Sequence, residues 1–144
     1  MQFRDLKKQY QVLKPRMDAA VTQVMSDCNF ISGSQVKALE RRLADYVGVK
    51  HCISCANGTD ALELAERAYG IGPGDAVFVP DFTFFSSAET VADLGATPVF
   101  VDVDPVSFNL CPRALESALD RVRAQGKLRP RAVVAVDLFG LPAD

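Results

Sequence analysis

Apolar residues recur at Leu6, Tyr10, Leu13, Met17, Val21, Val24 and Cys28, in steps of three and four. Steps of that size place one stripe along one face of a helix. Pro15 falls inside the stripe. Proline is tolerated in the first turn of a helix, so the pattern allows a second helix to start there. Phe30-Ile-Ser-Gly33 breaks the period and reads as a loop. Ser34 suits the N-cap of the next helical run, whose inner face is Val36, Leu39, Leu43, Tyr46 and Val47, with Gly48 as its stop.

From residue 49 the pattern changes. Short continuous apolar runs at Cys52–Cys55, Val77–Val79, Val99–Val101 and Ala132–Val136 alternate with helical periods. The helical stretches are Asp60–Tyr69, Ser86–Leu94 and the run opened by Pro112, with Leu115, Leu119 and Val122 on one face. Gly70, the Gly72-Pro-Gly-Asp75 turn and Gly95 separate them, and residues 126–131 read as a polar connection. Continuous apolar strands between helices predict a parallel sheet covered on both faces. The expected fold class is α/β. A doubly wound layer with at least four parallel strands occupies residues 49–144, and two N-terminal helices occupy residues 1–48. Too few elements follow the last strand to cover it, so the pattern predicts a truncated domain.

Composition narrows the function classes. The chain has 144 residues, is 49% apolar and carries a formal net charge of −2. That is too apolar for a disordered chain. No Lys/Arg block or basic-aromatic stripe points to nucleic acid. The opening MQFRDLKKQY has no apolar core of a signal peptide, and no run approaches a membrane span. The simplest expectation is a soluble cytoplasmic protein. Cys52 and Cys55 have the spacing of a CxxC, yet no second pair exists and His51 is the one histidine. A zinc site needs four ligands, and a redox pair needs an exposed helix N-terminus. Buried small hydrophobes are the expected role of these cysteines, with no metal site.

Three stretches carry candidate chemistry. Asn57-Gly58-Thr59 turns an apolar run into a helix. The first N–H groups of a helix lack intrahelical partners and, with the dipole, favour an anion. Gly58 lets an anion approach the backbone, and Thr59 can add a hydroxyl. The same residues also fit a plain capped helix start, with Asn57 or Thr59 as the cap. The loop has no Walker lysine and no G-x-G-x-x-G, which counts against a dinucleotide fold. Pro80-Asp-Phe-Thr-Phe-Phe-Ser-Ser87 follows a strand at its carboxyl end, where open α/β sheets bind ligands. Phe82, Phe84 and Phe85 cannot all face one way; one can offer its face to a ring, or all can be packing residues. Asp137 ends a strand as a ligand contact or as a cap of the following loop.

Taken together, CISCANGTDAL (52–62), GIGPGD (70–75), VFVPDFTFFSSAETV (77–91), GATPVFVDVDP (95–105), FNL (108–110) and VDLFGLPAD (136–144) run in a familiar order. The chain resembles the N-terminal part of the DegT/DnrJ/StrS-type sugar aminotransferases, PLP enzymes of fold type I. The similarity spans essentially all of it and is nearest to enzymes that aminate a UDP-linked 3-oxo sugar acid. The resemblance implies the N-terminal portion of a PLP-transferase large domain. It implies that Gly58 and Thr59 hold the PLP phosphate and that Phe84 stacks on the pyridine ring. It also implies that Cys28 and Phe30 lie near the sugar-nucleotide. Two positions depart from the family pattern: Phe30 stands where Tyr is common, and Leu141 where Gln is common.

The Schiff-base Lys and the ring-nitrogen Asp of such enzymes belong to later motifs that this sequence does not contain. None of the six lysines, Lys7, Lys8, Lys14, Lys37, Lys50 and Lys127, matches a Schiff-base context. No catalytic residue is therefore assigned, Asp137 included. The implied partners are a nucleotide-linked keto sugar, an amino donor such as glutamate, and a second copy in a homodimer. Two alternatives stand beside this reading: a non-catalytic PLP- or phosphate-binding remnant, and a relative that uses His in place of Lys for sugar dehydration.

Overall fold

Both N-terminal stripes fold as helices in the computed structural model, which describes residues 3–143. Helix α1 spans Leu6–Asp27, with the Asp5 side chain capping it by accepting from Lys8 N at 2.9 Å. Pro15 sits inside it and starts no second helix. A lone interior proline removes one backbone donor, and side chains bridge the gap. Lys14 pairs with Asp18 across the proline, and Tyr10 Oη donates to Asp18 at 2.8 Å. Cys28 ends α1 in the left-handed region, φ 50°. None of the α1 residues is buried.

Helix α2 spans Ser34–Val47. Its cap is Gly33, not Ser34: Ser34 is the first helical residue, and its hydroxyl turns to Gln35 Oε1. A Cβ on Gly33 would meet Asn29 O at 2.9 Å, so the close turn selects glycine over a serine cap. The expected strand at Cys52–Cys55 is absent, and Cys55 is exposed rather than buried. The backbone there has no ladder partner among the described residues. Glu40 of α2 instead accepts from Ser54 N at 2.9 Å and Ser54 Oγ at 2.8 Å. The chain divides into two compact units between Ser54 and Cys55.

The second unit runs α3 (Gly58–Ala68), β1 (Asp75–Pro80), α4 (Ser86–Asp93), β2 (Thr97–Val101), α5 (Pro112–Gln125) and β3 (Arg129–Val133). Among the described residues the sheet has three parallel strands, where the apolar pattern predicts at least four, in the order β2-β1-β3. Every β1 residue is buried. Val77 and Val79 face Ile71, Val91 and Ala96 on one side; Ala76 and Phe78 face Val101, Ala118 and Val122 on the other. Each large side chain buried this way contributes about 1.5–3 kcal/mol.

Strand β3 begins three residues earlier than its apolar run. Asp75 is 2% exposed and holds the Arg129 guanidinium at 2.7 Å, while Arg129 N donates to Gly74 O at 2.9 Å. That pair starts the ladder inside a stretch that reads as polar connection. Ala76 pairs with Pro130 and Val77 with Ala132, so Arg131 is an extra, bulged residue. The strand leaves the sheet after Val133, apart from Val134 N donating to Phe78 O at 2.8 Å. The run to Val136 is only half-buried or exposed.

The directions of α3 and α4 place the candidate chemistry. A Cβ on Gly95, after α4, would lie 3.1 Å from Pro73, in the turn after α3, and Gly95 has φ +73°. The two C-terminal ends therefore meet at the amino edge of the sheet, where that turn feeds β1. The helices pack side by side and share a hydrogen bond between Glu66 and Thr90. They run in the same sense, and both N-termini point to the carboxyl edge.

Candidate functional site

Asn57 decides how α3 starts. Its side chain accepts from Asp60 N at 3.0 Å, and its carbonyl accepts from Ala61 N at 3.1 Å. Asn57 is thus the cap, and Thr59 is not. The N–H groups of Gly58 and Thr59 and the Thr59 hydroxyl have no protein acceptor among the described residues. A Cβ on Gly58 would meet nothing within 4 Å, so open space fronts these donors. Two free N–H groups, a hydroxyl and the positive end of an 11-residue helix form a donor set suited to a phosphate. Asp60 lies in the same first turn and adds the one acidic group there.

The loop after β1 separates its three rings. Phe82 joins Phe108 and Phe139, with centroids 5.7 and 6.4 Å away and 5.5 Å between the latter two. These rings come from the loops after β1, β2 and β3, so the cluster braces the carboxyl edge. Phe84 stays out of it and is 70% exposed. Its carbonyl accepts from Ser87 N at 3.1 Å, and Thr83 Oγ1 lies 3.0 Å from Ser87 Oγ. The backbone presenting Phe84 is thereby tied to the start of α4, while its ring remains open. Gly58, Thr59 and Phe84 share the carboxyl edge. Cys28 and Phe30 fall in the first unit. Cys28 is exposed, with its Sγ–H on Met25 O at 3.4 Å, and Phe30 is 59% exposed.

Asp137 is a loop cap. Its Oδ1 accepts from Ala143 N at 3.0 Å, and its carbonyl accepts from Gly140 N at 3.0 Å. The sequence gives no hint of a second brace. Asn109 is 8% exposed and donates both Nδ2 hydrogens, to Leu141 O at 3.1 Å and Pro142 O at 3.0 Å. Its partners lie over thirty residues away, beyond any local pattern; the nearest signal is the FNL motif itself. Among the described residues no group of three or more His, Cys, Asp or Glu could hold a metal ion. No helix among them is long and apolar enough to cross a membrane.

Residues 11–144 match the sequence profile of the DegT/DnrJ/EryC1/StrS aminotransferase family. The chain belongs to this family. Within it, the UDP-2-acetamido-2-deoxy-3-oxo-D-glucuronate aminotransferase of Pseudomonas aeruginosa is 48% identical over 144 residues, covering 100% of this chain and 38% of that protein. A DegT DnrJ EryC1 StrS aminotransferase from Brucella abortus matches with a TM-score of 0.95 at 49% identity, over 100% of this chain and 39% of that one. NtdA of Bacillus subtilis, solved with bound cofactor PMP, matches with a TM-score of 0.74 at 28% identity, over 86% of this chain and 27% of that one. The chain thus spans 38–39% of the length of the two nearer relatives. The α/β fold is that of the N-terminal portion of DegT-family aminotransferases.

Proposed function

We propose that this chain supplies the phosphate- and ring-binding part of a PLP-dependent aminotransferase acting on a nucleotide-linked keto sugar in amino-sugar biosynthesis. The observation that carries this reading is the free donor set of Gly58 and Thr59, on the same sheet edge as the exposed ring of Phe84. The backbone N–H groups of both residues and the Thr59 hydroxyl bind the phosphate. Phe84 stacks on the pyridine ring and fixes its plane. Cys28 and Phe30 line the sugar-nucleotide site; Phe30 contributes ring contact and no hydroxyl bond. The bound cofactor serves as an electron sink and amino carrier. Glutamate as amino donor, a homodimer and a cytoplasmic setting complete the proposal. The named relatives support the sugar class, and the exposed apolar stripe of α1 supports a partner.

A second reading, a PLP-binding module without chemistry, rests on one observation. Lys127 is the single lysine of the second unit, and it lies exposed in the connection that enters β3 at the amino edge. That is the opposite edge from Phe84, so this unit brings no amine to the proposed ring.

Fluorescence titration with pyridoxamine 5′-phosphate and with pyridoxamine tests the site without needing a Schiff base. The phosphorylated ligand is expected to bind at least about tenfold more tightly, as charge-assisted hydrogen bonds demand. Equal affinities would remove the Gly58–Thr59 assignment.

A further inference from the structure

Glu66 sits on α3, 7% exposed, and its Oε2 is the one buried side-chain oxygen or nitrogen without a hydrogen-bond partner among the described residues. Its Oε1 lies 3.3 Å from Thr90 Oγ1 on α4. The same hydroxyl lies 3.0 Å from the Ser86 carbonyl. A threonine hydroxyl carries one hydrogen. The shorter bond, to the carbonyl four residues back, is the ordinary helical use of it. Once it is used there, an ionised Glu66 would set lone pair against lone pair at Thr90. A protonated carboxyl removes the conflict by donating to Thr90 Oγ1, and leaves Oε2 as a neutral carbonyl, cheaper to bury unpaired than a charge.

We infer that Glu66 is held as the neutral acid, donates its proton to Thr90 Oγ1, and is the positioning residue that sets α3 against α4. The surrounding charges agree. On α3, Glu63 lies one turn away and adds like charge, while Arg67 is taken by Glu63 at 2.6 Å. Asp60 is at the far end of the helix. The titratable residues of α4 are Glu89 and Asp93, both acids. Arg131 of β3 reaches the end of α3 but donates to Tyr69 O at 2.6 Å, and Arg129 is held by Asp75. Among the described residues no cation forms an ion pair with Glu66. Burial is the largest effect and pushes its carboxyl above the ordinary 4.5; the Thr90 hydrogen bond opposes it, and the like charge of Glu63 adds a smaller upward push.

The functional consequence rests on the cofactor reading above. The N-terminus of α3 carries the phosphate donors, and Phe84 leads into α4. The Glu66–Thr90 bond fixes the spacing between the two. Ionising Glu66 breaks the bond and leaves a buried charge, so ring and phosphate contacts lose their shared frame.

Wild type and Glu66→Gln are compared by infrared spectroscopy, thermal melting and pyridoxamine 5′-phosphate affinity across about pH 4.5–8.5. Gln keeps the shape and a donor and cannot ionise. The expected result is a protonated-carboxyl band in wild type at neutral pH that the variant lacks. Wild-type stability is expected to fall with rising pH relative to the variant, because the folded state holds the proton longer. Affinity is expected to match the variant's in acid and to fall below it by at least about threefold at the alkaline end. Parallel pH profiles with no carboxyl band would overturn the inference, as would an unchanged affinity ratio for its positioning role. Should wild type bind no pyridoxamine 5′-phosphate while the band and stability slope persist, the cofactor reading falls and the neutral Glu66 stands.

Discussion

Gly58 and Thr59 separate two effects that usually travel together. Gly58 has no left-handed φ, and a Cβ there would meet no protein atom. Gly58→Ala is therefore expected to leave the melting temperature unchanged or slightly higher, since alanine favours helix by up to about 1 kcal/mol. Its methyl enters the space of the anion, so affinity for pyridoxamine 5′-phosphate is expected to drop by about tenfold or more. Loss of stability without loss of affinity would give Gly58 a folding role instead. Thr59→Val removes a hydroxyl and little else, and about a tenfold weaker binding is expected in the same titration. Asn57→Ala acts on folding: losing the cap should cost about 1 kcal/mol in denaturant unfolding. The sequence leaves two residue roles open that the fold decides. Phe82, Phe84 and Phe85 look equivalent until Phe108 and Phe139, from loops far along the chain, capture Phe82. Asp137 has the profile of an active-site acid, but its partner is Ala143 N, six residues on, reached only because the loop curls back.

At the level of elements, helices are the more legible part. Periodicity alone places α2, α3, α4 and α5 to within a residue or two, because each helix is built from local contacts. Strand limits depend on a neighbour. The Cys52–Cys55 run has strand composition and no ladder, while Arg129–Pro130 has loop composition and a ladder, because buried Asp75 waits across from Arg129. That pair is open to test. Asp75 is held below its ordinary 3.8, chiefly by the Arg129 hydrogen bond. A depressed carboxyl contributes stability above its ordinary value and loses it as pH falls through the folded value. Arg129→Met should lower the melting temperature at neutral pH, and the gap from wild type should close below about pH 3.8. A gap that stays constant into acid would assign the loss to packing.

For the molecule as a whole, what is exposed is as informative as what is buried. Along α1, Leu6, Val21 and Met25 are 70%, 61% and 60% exposed, and Phe100 on the β2 edge is 57% exposed. Apolar surface on this scale usually marks an interface. The chain by itself is expected to self-associate in sedimentation at micromolar concentration; a monodisperse monomer would mean the stripe is tolerated bare. Borohydride treatment with substoichiometric PLP is expected to leave no single lysine labelled, as judged by mass spectrometry of peptides. One dominant adduct would identify an amine that the proposed site lacks. The strand order β2-β1-β3 also has a bearing on the ribosome. The central strand leaves the exit tunnel first, and its second neighbour begins 54 residues after Asp75. Once β2 has followed, β1 is shielded on one flank and stays bare on the other until β3 is made. Nascent-chain assembly must then proceed outward from a half-covered strand, so amides of the β1–β2 ladder should gain exchange protection before those of β3.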